Sequence, residues 1–178
     1  RISPTRAEHV LAGLGGRIEL VLDGGPCESG VESTVIDCTG EAAHILRPGG
    51  VTRDAVAATL AAQELTLAAE MPSTDENKPA SPGQLASHYA PSAPVRLNVT
   101  APEPGMELIG FGETGGAGEL GLNLSPKGDL QEAAANLFDM MHAADATGAT
   151  VIGVAPVPGT GLGEAVNDRL RRAAAPRT

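Results

Sequence analysis

Aromatic side chains are nearly missing from this chain. It has no tryptophan, one tyrosine and two phenylalanines in 178 residues, so any core must rest on alanine, valine, leucine and isoleucine. Cysteine is also scarce. Cys27 and Cys38 form neither a CxxC pair nor any other metal-ligand spacing, and two cysteines in an acidic, alanine-rich chain fit a reducing cytoplasm, the expected location. A disulfide between them stays open at this level. The four histidines, His9, His44, His88 and His142, are scattered without an HxxxH pair, so no metal site made only of protein ligands is expected. Basic residues are outnumbered, 12 against 22 acidic, for a net charge of −10. Such a surface repels phosphate backbones, which argues against broad or direct binding to nucleic acid. No apolar run approaches the roughly 20 residues needed to span a bilayer, and no membrane association is expected.

What the chain has is glycine, 23 residues, and proline, 14. Both predict many turns and close backbone approaches. With 42% apolar and 19% charged residues the composition is that of a globular protein. Its length suits one large domain or two small ones. Arg1 is not a methionine and Ser3-Pro4 already opens a helix pattern, which leads us to expect a fragment or a processed chain.

Secondary-structure signals fall into two groups. In the first, Ser3 can cap a helix with Pro4 at its first position, and Val10, Leu11 and Leu14 form its apolar stripe up to Gly15-Gly16. Ile18 to Leu22 reads as a short strand ending at Asp23-Gly24-Gly25. Val35 to Cys38 and His44 to Arg47 read as two strands joined near Gly40, and Thr52 caps a helix reaching about Ala62. Five prolines between Met71 and Pro94 forbid a continuous helix there. In the second group, Val95 to Leu97, Glu107 to Phe111, Leu122 to Leu124 and Val151 to Ala155 read as strands. Asp129 caps an amphipathic helix to about Ala146, with Leu130, Ala134, Leu137 and Met141 inward. Leu162 to Ala174 is the last helix. Strands alternating with helices predict an α/β fold.

Three stretches carry chemical potential. Gly30-Val31-Glu32-Ser33-Thr34 sets hydroxyls beside glycine at a strand entry, where they can bind carboxylate or hydroxyl groups, or can simply form a polar turn. Arg47 ends a strand before Pro48-Gly49; its planar fork can clamp a phosphate, or pair with a surface carboxylate. Gly159-Thr160-Gly161-Leu162-Gly163 brings its last glycine one residue early for a dinucleotide fingerprint and is read as a helix-start turn. The glycine-rich loop from Gly110 to Gly121 lacks GK[ST] and is not a P-loop.

Read in series, SPT near the start, DGG, GVESTVID, ILRPG, SPGxxxSHYAP and GLGEAVNDRL closely resemble the Sua5 branch of the Sua5/YrdC family along essentially the whole chain. The resemblance implies residues 1–67 as the C-terminal part of a YrdC-like α/β domain, 68–94 as an interdomain linker or lid, and 95–178 as a small Rossmann-like Sua5 domain. It implies an L-threonylcarbamoyladenylate synthase, joining L-threonine, bicarbonate and ATP, with Mg²⁺ carried by ATP, and feeding downstream tRNA threonylcarbamoyl transfer machinery. The acidic charge argues against direct binding to tRNA. By motif, Ser3, Arg47 and Tyr89 would bind ATP and Ser33 L-threonine, with no residue assigned as catalytic or as a metal ligand. The family's earlier half, with an S-x-N motif before SPT, has no counterpart here, so little activity is expected of the chain alone. A non-catalytic regulatory or RNA-associated module is the alternative.

Overall fold

The structure, a computed structural model, describes residues 1–69 and 89–176. Its elements run α1 (Ala7–Leu14), β1 (Val35–Asp37), β2 (His44–Arg47), α2 (Arg53–Ala61), β3 (Val95–Leu97), β4 (Met106–Ile109), α3 (Leu130–Ala146), β5 (Val151–Val154) and α4 (Leu162–Ala174). This is an α/β fold. β1 and β2 form an antiparallel pair, with Asp37 opposite His44 and Ile36 opposite Ile45. β3, β5 and β4 form a parallel sheet in that order, with Arg96 level with Gly153 and Leu108 also level with Gly153.

Local chemistry explains the strongest elements. The Asp129 carboxylate accepts the Gln131 and Glu132 N–H groups and starts α3, satisfying donors that a helix start leaves open. The apolar spacing then buries Ala133, Ala134, Leu137, Phe138, Met141 and Ala144. Thr52 caps α2 through the Ala55 N–H. α4 begins at Gly161, whose φ of 56° lies in the left-handed region open to glycine. The Gly159–Gly163 run is therefore the helix-start turn expected of it. α3 and α4 pack on one another and reach β4 and β3. Their buried residues join Ile109, Ile152 and Val154 in the main core, while Val99, Met106 and Leu108 form a separate cluster.

The first region departs from expectation in three places. Residues 18–22 form no strand; Leu20 and Leu22 are 75% and 87% exposed, and no described strand offers them a ladder partner. Helix α1 starts at Ala7 rather than Ser3, because the Ser3 hydroxyl is engaged by Glu32. The expected apolar stripe of α1 is not buried, with Leu11 and Leu14 both exposed. In the second region, Leu122 to Leu124 contributes only a bridge between Gly110 and Asn123 rather than a strand. Most of the 68–94 segment lies outside the described residues.

Candidate functional site

The Ser33 turn and the end of β2 are packed backbone to backbone. A Cβ at Gly49 would run into the main chain of Glu32, Ser33 and Thr34, so the glycine after Arg47-Pro48 is what permits this approach. Arg47 is buried. Its Nη2 donates to the Ser33 carbonyl at 2.9 Å and to the Ser33 hydroxyl at 3.3 Å, and its Nε donates to the same carbonyl at 3.3 Å. Ser33 itself is exposed. Thr34 is absorbed structurally: its hydroxyl donates to the Val51 carbonyl and accepts the Val51 N–H.

Ser3 reaches this turn from the other side. Its hydroxyl donates to Glu32 Oε1 at 2.9 Å. The second oxygen of Glu32 accepts from Arg169 Nε at 2.7 Å, so an arginine on α4 meets the residue next to Ser33. Burial pushes the Glu32 carboxyl up, but hydrogen bonding and charge from Arg169, with the Ser3 bond, hold it below its ordinary value. The Arg169 side chain is fully buried and also binds Asp168 Oδ2 at 2.6 Å through Nη1. Burial disfavours its charge, yet Glu32 and Asp168 win and its pKa is raised.

Tyr89 occupies the same junction. It is 1% exposed, its ring lies 5.4 Å from that of Phe138, and the Arg169 guanidinium carbon stands 5.4 Å from its centroid, within cation–π range. Burial and the Glu32 charge raise the Tyr89 hydroxyl above its ordinary value. Its φ is 62°, an uncommon backbone region for an aromatic residue. Thus Ser33 and Arg47 meet directly, Ser3 joins through Glu32, and Tyr89 joins through Arg169 and Glu32.

Further contacts weld the two regions together. Gly30 lies so close to α3 that a Cβ there would strike the Ala134 and Ala135 carbonyl oxygens. Arg6 forks onto Asp139 with bonds of 2.5 and 2.8 Å. The rings of His9 and His142 stack with centroids 3.8 Å apart, the Thr5 N–H donates to His9 Nδ1 and His142 Nε2 donates to the Ser3 carbonyl. Sequence reasoning singled out neither Glu32, Arg169 nor this histidine pair. Glu32 was visible inside the GVEST stretch and Arg169 inside NDRL, but only the fold shows that they meet. Among the described residues no group of three or more His, Cys, Asp or Glu could hold a metal ion, and no helix is long and apolar enough to cross a membrane.

A hydroxyl turn braced by a buried arginine has the donors that a carboxylate or a phosphate would need. Comparison makes the class specific. The family model described as the threonylcarbamoyl-AMP synthase C-terminal domain matches residues 51–175, and a second, described as Telomere recombination, matches residues 1–49. The chain belongs to the threonylcarbamoyl-AMP synthase (Sua5) family. It is 34% identical to the threonylcarbamoyl-AMP synthase of Bacillus subtilis, over 98% of this chain and 54% of that protein. It is 38% identical to the one from Pyrococcus abyssi, over 96% and 54%. The crystal structure of P. abyssi Sua5 complexed with L-threonine superposes with a TM-score of 0.76 at 32% identity, covering 98% of this chain and 54% of that one. The chain therefore spans about half the length of the curated relatives it matches.

Proposed function

We propose that the protein carrying this chain is an L-threonylcarbamoyladenylate synthase, condensing L-threonine, bicarbonate and ATP to threonylcarbamoyl-AMP and pyrophosphate for tRNA modification. The observation that carries this reading is the seating of Arg47 on Ser33 in a chain whose relatives are named threonylcarbamoyl-AMP synthases. A carbamate oxygen must attack the α-phosphorus in line, so catalysis is positioning and charge stabilisation rather than covalent chemistry by the protein. Arg47 would neutralise phosphate oxygens, Ser33 would hold L-threonine, and Ser3 and Tyr89 would contact ATP. The P. abyssi structure with L-threonine supports the amino acid as ligand.

Tyr89 would have to leave its seat against Phe138 for its ring to meet a nucleotide, so its contact implies local opening. Mg²⁺ would arrive on the ATP phosphates. The Glu32 carboxylate beside Ser3 and Ser33 is engaged by Ser3 and Arg169, which fits an ion held by the nucleotide. The product would pass to a threonylcarbamoyl transfer machinery, and the setting would be cytoplasmic. The test is pyrophosphate release from ATP by the whole protein, with and without L-threonine and bicarbonate. Dependence on both supports the reading; release indifferent to threonine defeats it.

A further inference from the structure

We propose that Arg169, on helix α4 of the C-terminal unit, is a positioning residue for the L-threonine side of the site, acting through Glu32. The inference rests on the functional reading above and adds to it a role for the C-terminal unit.

The argument starts from the cost of the residue. The buried face of α4 otherwise carries Gly163, Ala165, Val166, Leu170 and Ala173, with Asp168 beside Arg169. A guanidinium taken fully out of water loses several kcal/mol of hydration that its partners must offset. A well-packed apolar residue serves a core at least as well, so packing of the C-terminal unit alone does not call for arginine here. The Asp168 partner is its own sequence neighbour, and Asp168 is also held by Arg172 at 3.0 Å. The ion pair that leads out of the unit is the one with Glu32. Arg169 Nη2 is buried and has no hydrogen-bond acceptor, so among the described residues the fork is aimed by Nε on Glu32 and Nη1 on Asp168.

Glu32 divides its two oxygens between Ser3 and Arg169. A carboxylate held on both oxygens cannot rotate freely, and Ser33 follows it directly in the chain. The Ser33 carbonyl in turn carries Arg47. The same guanidinium lies over Tyr89. One arginine of the C-terminal unit therefore sets the direction of the turn that presents Ser33. A second ion pair between the first region and α4, Arg53 with Glu164 at 3.3 Å, involves none of these site residues. It provides the contrast between holding two regions together and aiming a site.

The test uses the whole protein and calorimetric binding of L-threonine, expressed per folded molecule, beside thermal unfolding. Arg169→Met keeps an unbranched chain beneath Tyr89 and removes the donors; Glu32→Gln keeps the shape of the acceptor and removes its charge. Each is expected to weaken threonine binding by roughly tenfold to a hundredfold, the scale of a misplaced contact group. The double variant should be no worse than the worse single one, since both act on one contact. Arg169→Lys should restore part of the loss, lacking the fork. Arg53→Gln should leave threonine binding at the wild-type level.

Wild-type threonine affinity in folded Glu32→Gln and Arg169→Met would overturn the proposal, as would an equal loss in Arg53→Gln. If Arg169→Met does not fold, Glu32→Gln decides by the same criterion. Ser33→Ala separates the two levels. Weakened threonine binding there with no effect at Arg169 or Glu32 removes only this inference. No threonine binding by the wild-type protein removes the functional reading with it.

Discussion

The two regions of this chain bury their apolar residues very differently. Among the described residues, the exposed large hydrophobics are Leu11, Leu14, Ile18, Leu20, Leu22, Ile36, Val51 and Leu65 in the first region, against Leu120 alone in the second. From residue 95 onward the sheet and its two helices enclose Ile109, Leu137, Phe138, Met141, Ile152 and Val166, all without measurable exposure. The first region instead carries its order in polar contacts, Arg47 on Ser33 and Glu32 on Ser3, and in its seat against α3 and α4. The difference teaches that the candidate site is not built where the core is. Its residues sit mainly on the region with the smaller core, in contact with helices of the region with the larger one.

The comparison can be broken most sharply in the core of α3. Leu137→Ala should destabilise the chain by about 2–5 kcal/mol, as expected for deleting a fully enclosed leucine. A shift in denaturant midpoint measures it. A loss below 1 kcal/mol would show that the second region is not the stabilising one.

The next largest effect belongs to the first region and is functional. In the whole protein, Arg47→Ala should cost ATP binding about 1.5–3 kcal/mol, the worth of a charge-assisted phosphate contact, or roughly one to two decades in affinity. Lysine should restore only part of it. Unchanged ATP affinity would take Arg47 out of the nucleotide site.

The seam between regions comes third. Gly30→Ala should destabilise by about 1–3 kcal/mol, because overpacking against the α3 carbonyls forces the backbones apart. A crystal structure of the variant should show the Ser33 turn displaced from α3. Wild-type stability would mean that the seam yields without cost.

The smallest effect is the pH dependence of the same seam. Burial, then the stacked His9, hold the His142 pKa below its ordinary value, against the opposing pull of the Ser3 carbonyl, Asp139 and Asp145. The folded chain therefore binds this proton less readily than the unfolded chain. The sign follows: stability is full above the unfolded value of about 6.5 and falls as the pH drops from there through the folded value. His142→Gln should flatten that part of a stability–pH curve measured by denaturant unfolding. An unaltered slope in the variant would assign the dependence to other groups.

The sequence by itself determined the α/β class and most of the C-terminal unit. Asp129 starts α3 as its carboxylate spacing requires, α4 runs Leu162–Ala174 as its pattern indicates, and β1 and β2 form where the alternating apolar runs put them. These are local signals: a cap meets donors two or three residues away, and a helical stripe repeats within one turn. Ser33 and Arg47 stood out as polar residue types beside glycines, and the structure brings the two into contact. Only the tertiary structure decided the rest. Ile18 to Leu22 has strand composition but no ladder partner, and a strand is a property of two segments. Ser3 had the spacing of a cap, yet Glu32 took its hydroxyl. Glu32 and Arg169 stand 137 residues apart and His9 and His142 are equally remote in kind. No spacing rule reaches across such separations, because what joins these side chains is the packing of one region's turn on the other region's helices.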